Sequence, residues 1–190
     1  MVLDMSSKVK SPSALAHVVL RTNNYRKMVD FYVKFLGGNI AYENEYLAFI
    51  TYDHEHHRIA ILQLPETKDR ARNCSGLEHV AFTFDTLSDL VLAYQQRKEL
   101  GMLPLWCVNH GPTTSMYYED PDGNQLETQV DNFDTVEETD AFMRTKEFAE
   151  NPIGVDYDPA DLIARLDAIE DDRSIKKRPD IGPRALPPVH

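Results

Sequence analysis

Leu15-Ala16-His17-Val18-Val19-Leu20 and Leu77-Glu78-His79-Val80-Ala81-Phe82 repeat one pattern, a histidine held inside a short apolar run. Runs of this length and composition read as buried β-strands. The segment after each run repeats as well. Met28, Phe31, Tyr32, Phe35 and Leu36 recur at helical spacing and stop at Gly37-Gly38. Leu87, Leu90, Val91 and Tyr94 do the same and stop at Gly101, with Asp85, Thr86 or Ser88 available as the cap. Three short strands come after each helix, at 39–43, 47–52 and 58–64 in the first copy and at 103–108, 115–119 and 125–130 in the second. Asp120-Pro121-Asp122-Gly123-Asn124 supplies the residues of a tight turn between the last two. An internal repeat of this kind decides the fold class. It predicts an α+β fold of two paired βαβββ modules, 14–64 and 76–130, forming a curved, partly open barrel in a domain spanning 14–132, with a polar linker at 65–75.

Outward from the repeat the chain changes character. The acidic stretch 133–172 predicts a helical extension with helices at 135–149 and 159–169, parted by Asn151-Pro152-Ile153-Gly154. The stretch 173–190, rich in Pro and Lys/Arg, predicts a flexible tail. The 190 residues include 31 acidic and 20 basic side chains, a formal charge of −11. With no Lys/Arg cluster ahead of the C-terminal stretch, neither nucleic acid nor an anionic membrane is an expected partner. No apolar stretch approaches the roughly 18 residues of a membrane span, and the N-terminal segment lacks the apolar core of a signal peptide. The two cysteines, Cys74 and Cys107, are isolated and read as packed free thiols, so a cytoplasmic location is expected.

The repeat also places chemistry. His17 and His79 occupy matching positions on the first strands of the two modules, and an approximate two-fold relation between the modules would bring them together. Glu127 lies on the last strand of the second module, in Gln125-Leu126-Glu127-Thr128. A single histidine in a strand is ordinarily a satisfied core residue. Two at equivalent places, with a carboxylate, form a metal-ligand set. His17, His79 and Glu127 would leave up to three coordination positions open, the arrangement of non-haem Fe(II), with Mn(II) as competitor. The first module offers Gln63, in Ile61-Leu62-Gln63-Leu64, where the second offers Glu127, so no fourth protein ligand is expected.

These paired modules, the three ligands and the segment 117–127 resemble the vicinal oxygen chelate superfamily, which includes glyoxalases, bleomycin- and fosfomycin-resistance proteins, epimerases and extradiol dioxygenases. Within it, the run Tyr52-Asp53-His54-Glu55-His56-His57-Arg58-Ile59 is similar to the type I extradiol dioxygenases, here in a one-domain form. The resemblance implies that His57 is an acid/base beside the metal, and that His110 and Tyr117 bond substrate oxygen and dioxygen. The plainer alternatives are a solvated turn for 54–57 and an ordinary loop residue for His110. Strand alternation sends Tyr117, and not Tyr118, to the side of Glu127.

The implied activity is Fe(II)-dependent extradiol cleavage of a small catecholic or phenolic substrate with O2. Whether the chain forms a homo-oligomer is left open. The rivals are a metal-dependent lyase or isomerase of the glyoxalase or epimerase type, and a non-catalytic resistance-type ligand-binding protein.

Overall fold

The computed structural model describes residues 9–71, 75–168 and 171–185. It comprises two units, divided in sequence between Asp69 and Arg70. Cys74 lies outside the described residues.

In the first unit, strand β1 (Val18–Thr22) leads into helix α1 (Tyr25–Leu36) and then strands β2 (Asn39–Glu43), β3 (Leu47–Thr51) and β4 (Ile59–Gln63). The sheet order is β1-β4-β3-β2, with β1 and β4 parallel and the other pairs antiparallel. Helix α1 buries Tyr25, Met28, Val29, Tyr32 and Phe35, one stripe at helical spacing. Leu20, Ile50, Ile59 and Ile61 are buried on the sheet. Burying an apolar side chain of this size is worth roughly 1.5–3 kcal/mol, so this stripe accounts for the helix docking. The helix ends where Gly37 turns left-handed, at φ 60°, and its N–H bonds back into the last turn.

The second unit repeats the plan with strand β5 (His79–Thr83), helix α2 (Leu87–Glu99), and strands β6 (Trp106–Asn109), β7 (Thr113–Glu119) and β8 (Gln125–Asp131). Thr86 caps α2, its side chain accepting from the Asp89 N–H. The Asp120 carboxylate accepts the backbone N–H groups of Asp122 and Asn124, and so closes the β7–β8 turn that carries Glu127 to its place. The sheet order is β5-β8-β7-β6-β9, with β9 (Val155–Asp156) an added edge.

The α+β class and the two βαβββ modules are as expected, with the described strands in two sheets. Other expectations are corrected. The strand expected at 103–108 starts at Trp106, leaving Leu103 and Leu105 exposed. The expected helix 135–149 is split into α3 (Val136–Met143) and α4 (Lys146–Glu150). Thr145 causes the break, because its hydroxyl donates to the Phe142 carbonyl and accepts from the Phe148 N–H. The second expected helix is α5 (Pro159–Asp167). The stretch expected as a flexible tail, 173–190, is described as far as residue 185. Helix α6 (Asp172–Lys176) runs into it, and Arg178 beyond the helix is buried within the second unit. Its guanidinium bonds backbone carbonyls far away in the chain, a tie that composition cannot report. No helix among the described residues is long and apolar enough to cross a membrane.

Candidate active site

The parallel and antiparallel registers of the second unit put one set of side chains on one face. Glu127 lies opposite Ala81 of β5 on one side and opposite Tyr117 of β7 on the other. His79 is two residues before Ala81, hence on the same face. Ser115 shares the parity of Tyr117, and Trp106 of β6 is the direct cross-strand partner of Tyr117. Tyr118 points the other way and is buried, 2% exposed.

These side chains touch. His79 Nε2 lies 3.0 Å from Glu127 Oε2. Tyr117 stands directly across the strand pair from Glu127, and Ser115 on the same face is near enough to influence its carboxylate. His110, on the loop between β6 and β7, places its Nε2 3.0 Å from the Tyr117 hydroxyl, and its Nδ1 donates to the Ile153 carbonyl. The Trp106 ring stacks on Tyr117 at 5.0 Å and meets His110 edge-on at 5.6 Å.

The electrostatics follow from burial and pairing. Burial, the largest influence on Glu127, pushes its carboxyl up, but bonds from His79 and Ser115 outweigh it and leave it below the ordinary value. The bond to Glu127 raises His79 against the opposing effect of desolvation. Burial lowers His110, and burial together with the nearby Glu127 charge raises Tyr117, so both are neutral near pH 7.

In the first unit, His17 directly precedes β1 and His57 precedes β4. The His57 ring is stacked on Phe49 at 4.2 Å and packs against His17 at 4.3 Å. Its Nδ1 is 2.6 Å from Nδ1 of His56. Desolvation first, then the neighbouring His17 and His56, lowers its basicity and keeps it neutral near pH 7.

The register corrects one expectation. Val19, two residues after His17, pairs with Ala60, just as Ala81, two after His79, pairs with Glu127. Phe49 likewise opposes Ala60 as Tyr117 opposes Glu127. Ala60 therefore occupies the place equivalent to Glu127, and Gln63 does not. Gln63 is three residues along the strand, an odd shift that turns its side chain to the other face. The side chain of Ala60 offers no donor atom at that place.

The structure thus joins His79, Glu127, Tyr117 and His110 in the second unit, and His17 with His57 in the first. Among the described residues no three His, Cys, Asp or Glu side chains are grouped as a metal ion would require. The His79–Glu127 pair does fit a divalent metal. Two donors each about 2.1 Å from an octahedral ion and at right angles stand about 3.0 Å apart, and this imidazole and carboxylate are 3.0 Å apart. Trp106, Ser115 and Ile153 were not foreseen. The pairing of Trp106 with Tyr117 across the expected hairpin is the signal that would have found the first.

Residues 14–128 match the family described as the Glyoxalase/Bleomycin resistance protein/Dioxygenase superfamily. The chain belongs to this superfamily. Among its relatives, "Biphenyl-2,3-diol 1,2-dioxygenase 2" of Rhodococcus globerulus is 45% identical over 154 residues, 80% of this chain and 81% of that protein. "Biphenyl-2,3-diol 1,2-dioxygenase 3" of the same organism is 44% identical over 150 residues, 78% and 79% of the two chains. A crystal structure of lactoylglutathione lyase from Agrobacterium tumefaciens shares the superfamily fold, with a TM-score of 0.52 at 20% identity over 64% of this chain and 96% of that one.

Proposed function

We propose that this superfamily member is an extradiol ring-cleaving dioxygenase acting on a catechol, with an aryl-substituted catechol such as biphenyl-2,3-diol as the first substrate to test. The observation that carries the reading is the array His79–Glu127–Tyr117–His110 on one sheet face. It sets two metal-type donors beside two neutral hydrogen-bonding groups. The likeness to two biphenyl-2,3-diol 1,2-dioxygenases supports it. In the proposed ligand set His17 joins His79 and Glu127 around Fe(II), with Mn(II) as competitor. When bound, the metal supplies a Lewis-acidic, redox-active centre for a chelating catechol and O2.

The remaining work falls to the chain's own residues. His57 is neutral and buried; in the tautomer whose Nδ1–H is given to His56, Nε2 is bare and takes a proton from a catechol hydroxyl. The same proton returns to the departing oxygen when the ring opens. Tyr117 and His110 hydrogen-bond oxygen atoms on which charge develops. Trp106, flat against Tyr117, offers an apolar wall to an aromatic ring. Both atoms of O2 enter the product, and the carbon–carbon bond next to the two hydroxyls breaks.

The test is anaerobic loading with Fe(II) or Mn(II), followed by a catechol panel with O2 uptake and product absorbance recorded. The expected result is a yellow ring-opened product and one O2 consumed per catechol with at least one substrate. No product and no uptake with any catechol would overturn the reading.

A further inference from the structure

His110 is held from behind by a part of the chain outside the repeat. The Ile153 carbonyl accepts from His110 Nδ1. Ile153 sits in a turn closed by Asn151, whose side chain donates to the Gly154 carbonyl at 3.0 Å and accepts from the Gly154 N–H at 2.8 Å. That turn lies directly on the His110 loop. A Cβ on Gly154 would stand 2.3 Å from the Asn109 carbonyl oxygen and 2.7 Å from His110 Cα.

One side chain ties the turn to the loop. Arg178 Nη1 donates to the His110 carbonyl at 3.0 Å and to the Asn151 carbonyl at 2.6 Å. Its Nη2 pairs with the Glu147 carboxylate at 3.1 Å, and the side chain is 2% exposed. A planar guanidinium can serve three acceptors at fixed angles, which an ammonium on a flexible stem cannot. A second tie runs alongside, from Trp106 Nε1 to Asp156 at 2.7 Å and from Asp156 to Arg184 at 2.9 Å.

The consequence lies in the imidazole. A carbonyl oxygen only accepts, so Nδ1 of His110 carries a hydrogen. In the neutral ring Nε2 is then bare and faces the Tyr117 hydroxyl. With the carbonyl withdrawn, the ring is free to rotate and to exchange tautomers, and the Tyr117 contact loses its definition.

We propose that Arg178 is a positioning residue for His110, clamping the 151–154 turn to the His110 backbone so that the Ile153 carbonyl enforces the Nδ1–H tautomer and leaves Nε2 to Tyr117. The C-terminal extension is on this account part of the active site's support. The effect on turnover rests on the dioxygenase reading; the tautomer does not.

The experiment uses the full chain with 15N-labelled histidine, without metal, in long-range 1H–15N spectra, with His110→Asn identifying the His110 signals. Wild type is expected to show His110 as the Nδ1–H tautomer. Arg178→Gln and Arg178→Lys are expected to shift it toward the mixture of a free imidazole while the thermal transition stays cooperative. With a catechol that is turned over, Arg178→Gln is expected to lower kcat about tenfold with KM nearly unchanged, and to cause no further loss on a His110→Asn background. An Nε2–H tautomer in wild type would overturn the proposal, whatever the variants do. So would an unchanged tautomer in a folded Arg178→Gln, or an equal loss on the His110→Asn background. Failure of all catechols would sink the proposed function and leave the spectra to decide this inference.

Discussion

Tyr117 has one proton, which the bare Nε2 of His110 accepts, and the charge of the Glu127 carboxylate stands directly across the strand pair. It therefore links the metal-type pair to the histidine behind it, and its hydroxyl should matter more than its ring. Tyr117→Phe keeps the stacking on Trp106 and removes the hydroxyl. A loss of about a hundredfold in kcat is expected, the scale for removing one preorganised donor, read by steady-state O2 uptake. A loss below about threefold would remove Tyr117 from the chemistry. Cys107 marks the opposite case. It is buried, and burial, aided by Asp158 and Asp156, pushes its thiol up to about 12. Thiolate is the reactive form, so folded protein at pH 8 should leave Cys107 unalkylated by iodoacetamide, and unfolding should expose it. Peptide mapping by mass spectrometry separates it from Cys74.

Among the elements, the helices of the repeat were legible because α1 and α2 each bury a stripe at helical spacing, and periodicity is a local property. The extension was read less well. Thr145 interrupts a stretch whose residues favour helix on both sides, since its hydroxyl competes for the backbone groups. Thr145→Ala removes the cap on α4 and should cost about 1 kcal/mol in denaturant unfolding. Strand β9 is two residues long and leaves no pattern to read. Gly154, beside it, has φ 112° and almost no room for a side chain. Gly154→Ala should cost about 1–3 kcal/mol, visible as a lower denaturation midpoint; a change under about 0.5 kcal/mol would show that the turn yields freely.

At the scale of the whole molecule, metal binding by the proposed ligands His17, His79 and Glu127 should register in the melting of the chain. Fe(II) or Mn(II) at about a hundred times its dissociation constant should stabilise by about 2.7 kcal/mol, roughly 5–10 °C in a chain of this size. His17→Ala, His79→Ala and Glu127→Ala should each abolish that shift in a thermal melt under argon. A full shift in His17→Ala would exclude His17 as a ligand.

The sequence by itself determined the repeated βαβββ plan and the α+β class, because apolar periodicity is written in local order, and its duplicated histidine is what suggested the proposed ligands. Tertiary structure alone decided that Ala60, three residues from the expected Gln63, matches Glu127, because register is a relation between strands that no single strand encodes. It alone also brought Trp106, Ile153 and Arg178 to Tyr117 and His110, through contacts between residues as much as 68 positions apart. Such contacts arise from how segments pack, and nothing periodic along the chain announces them.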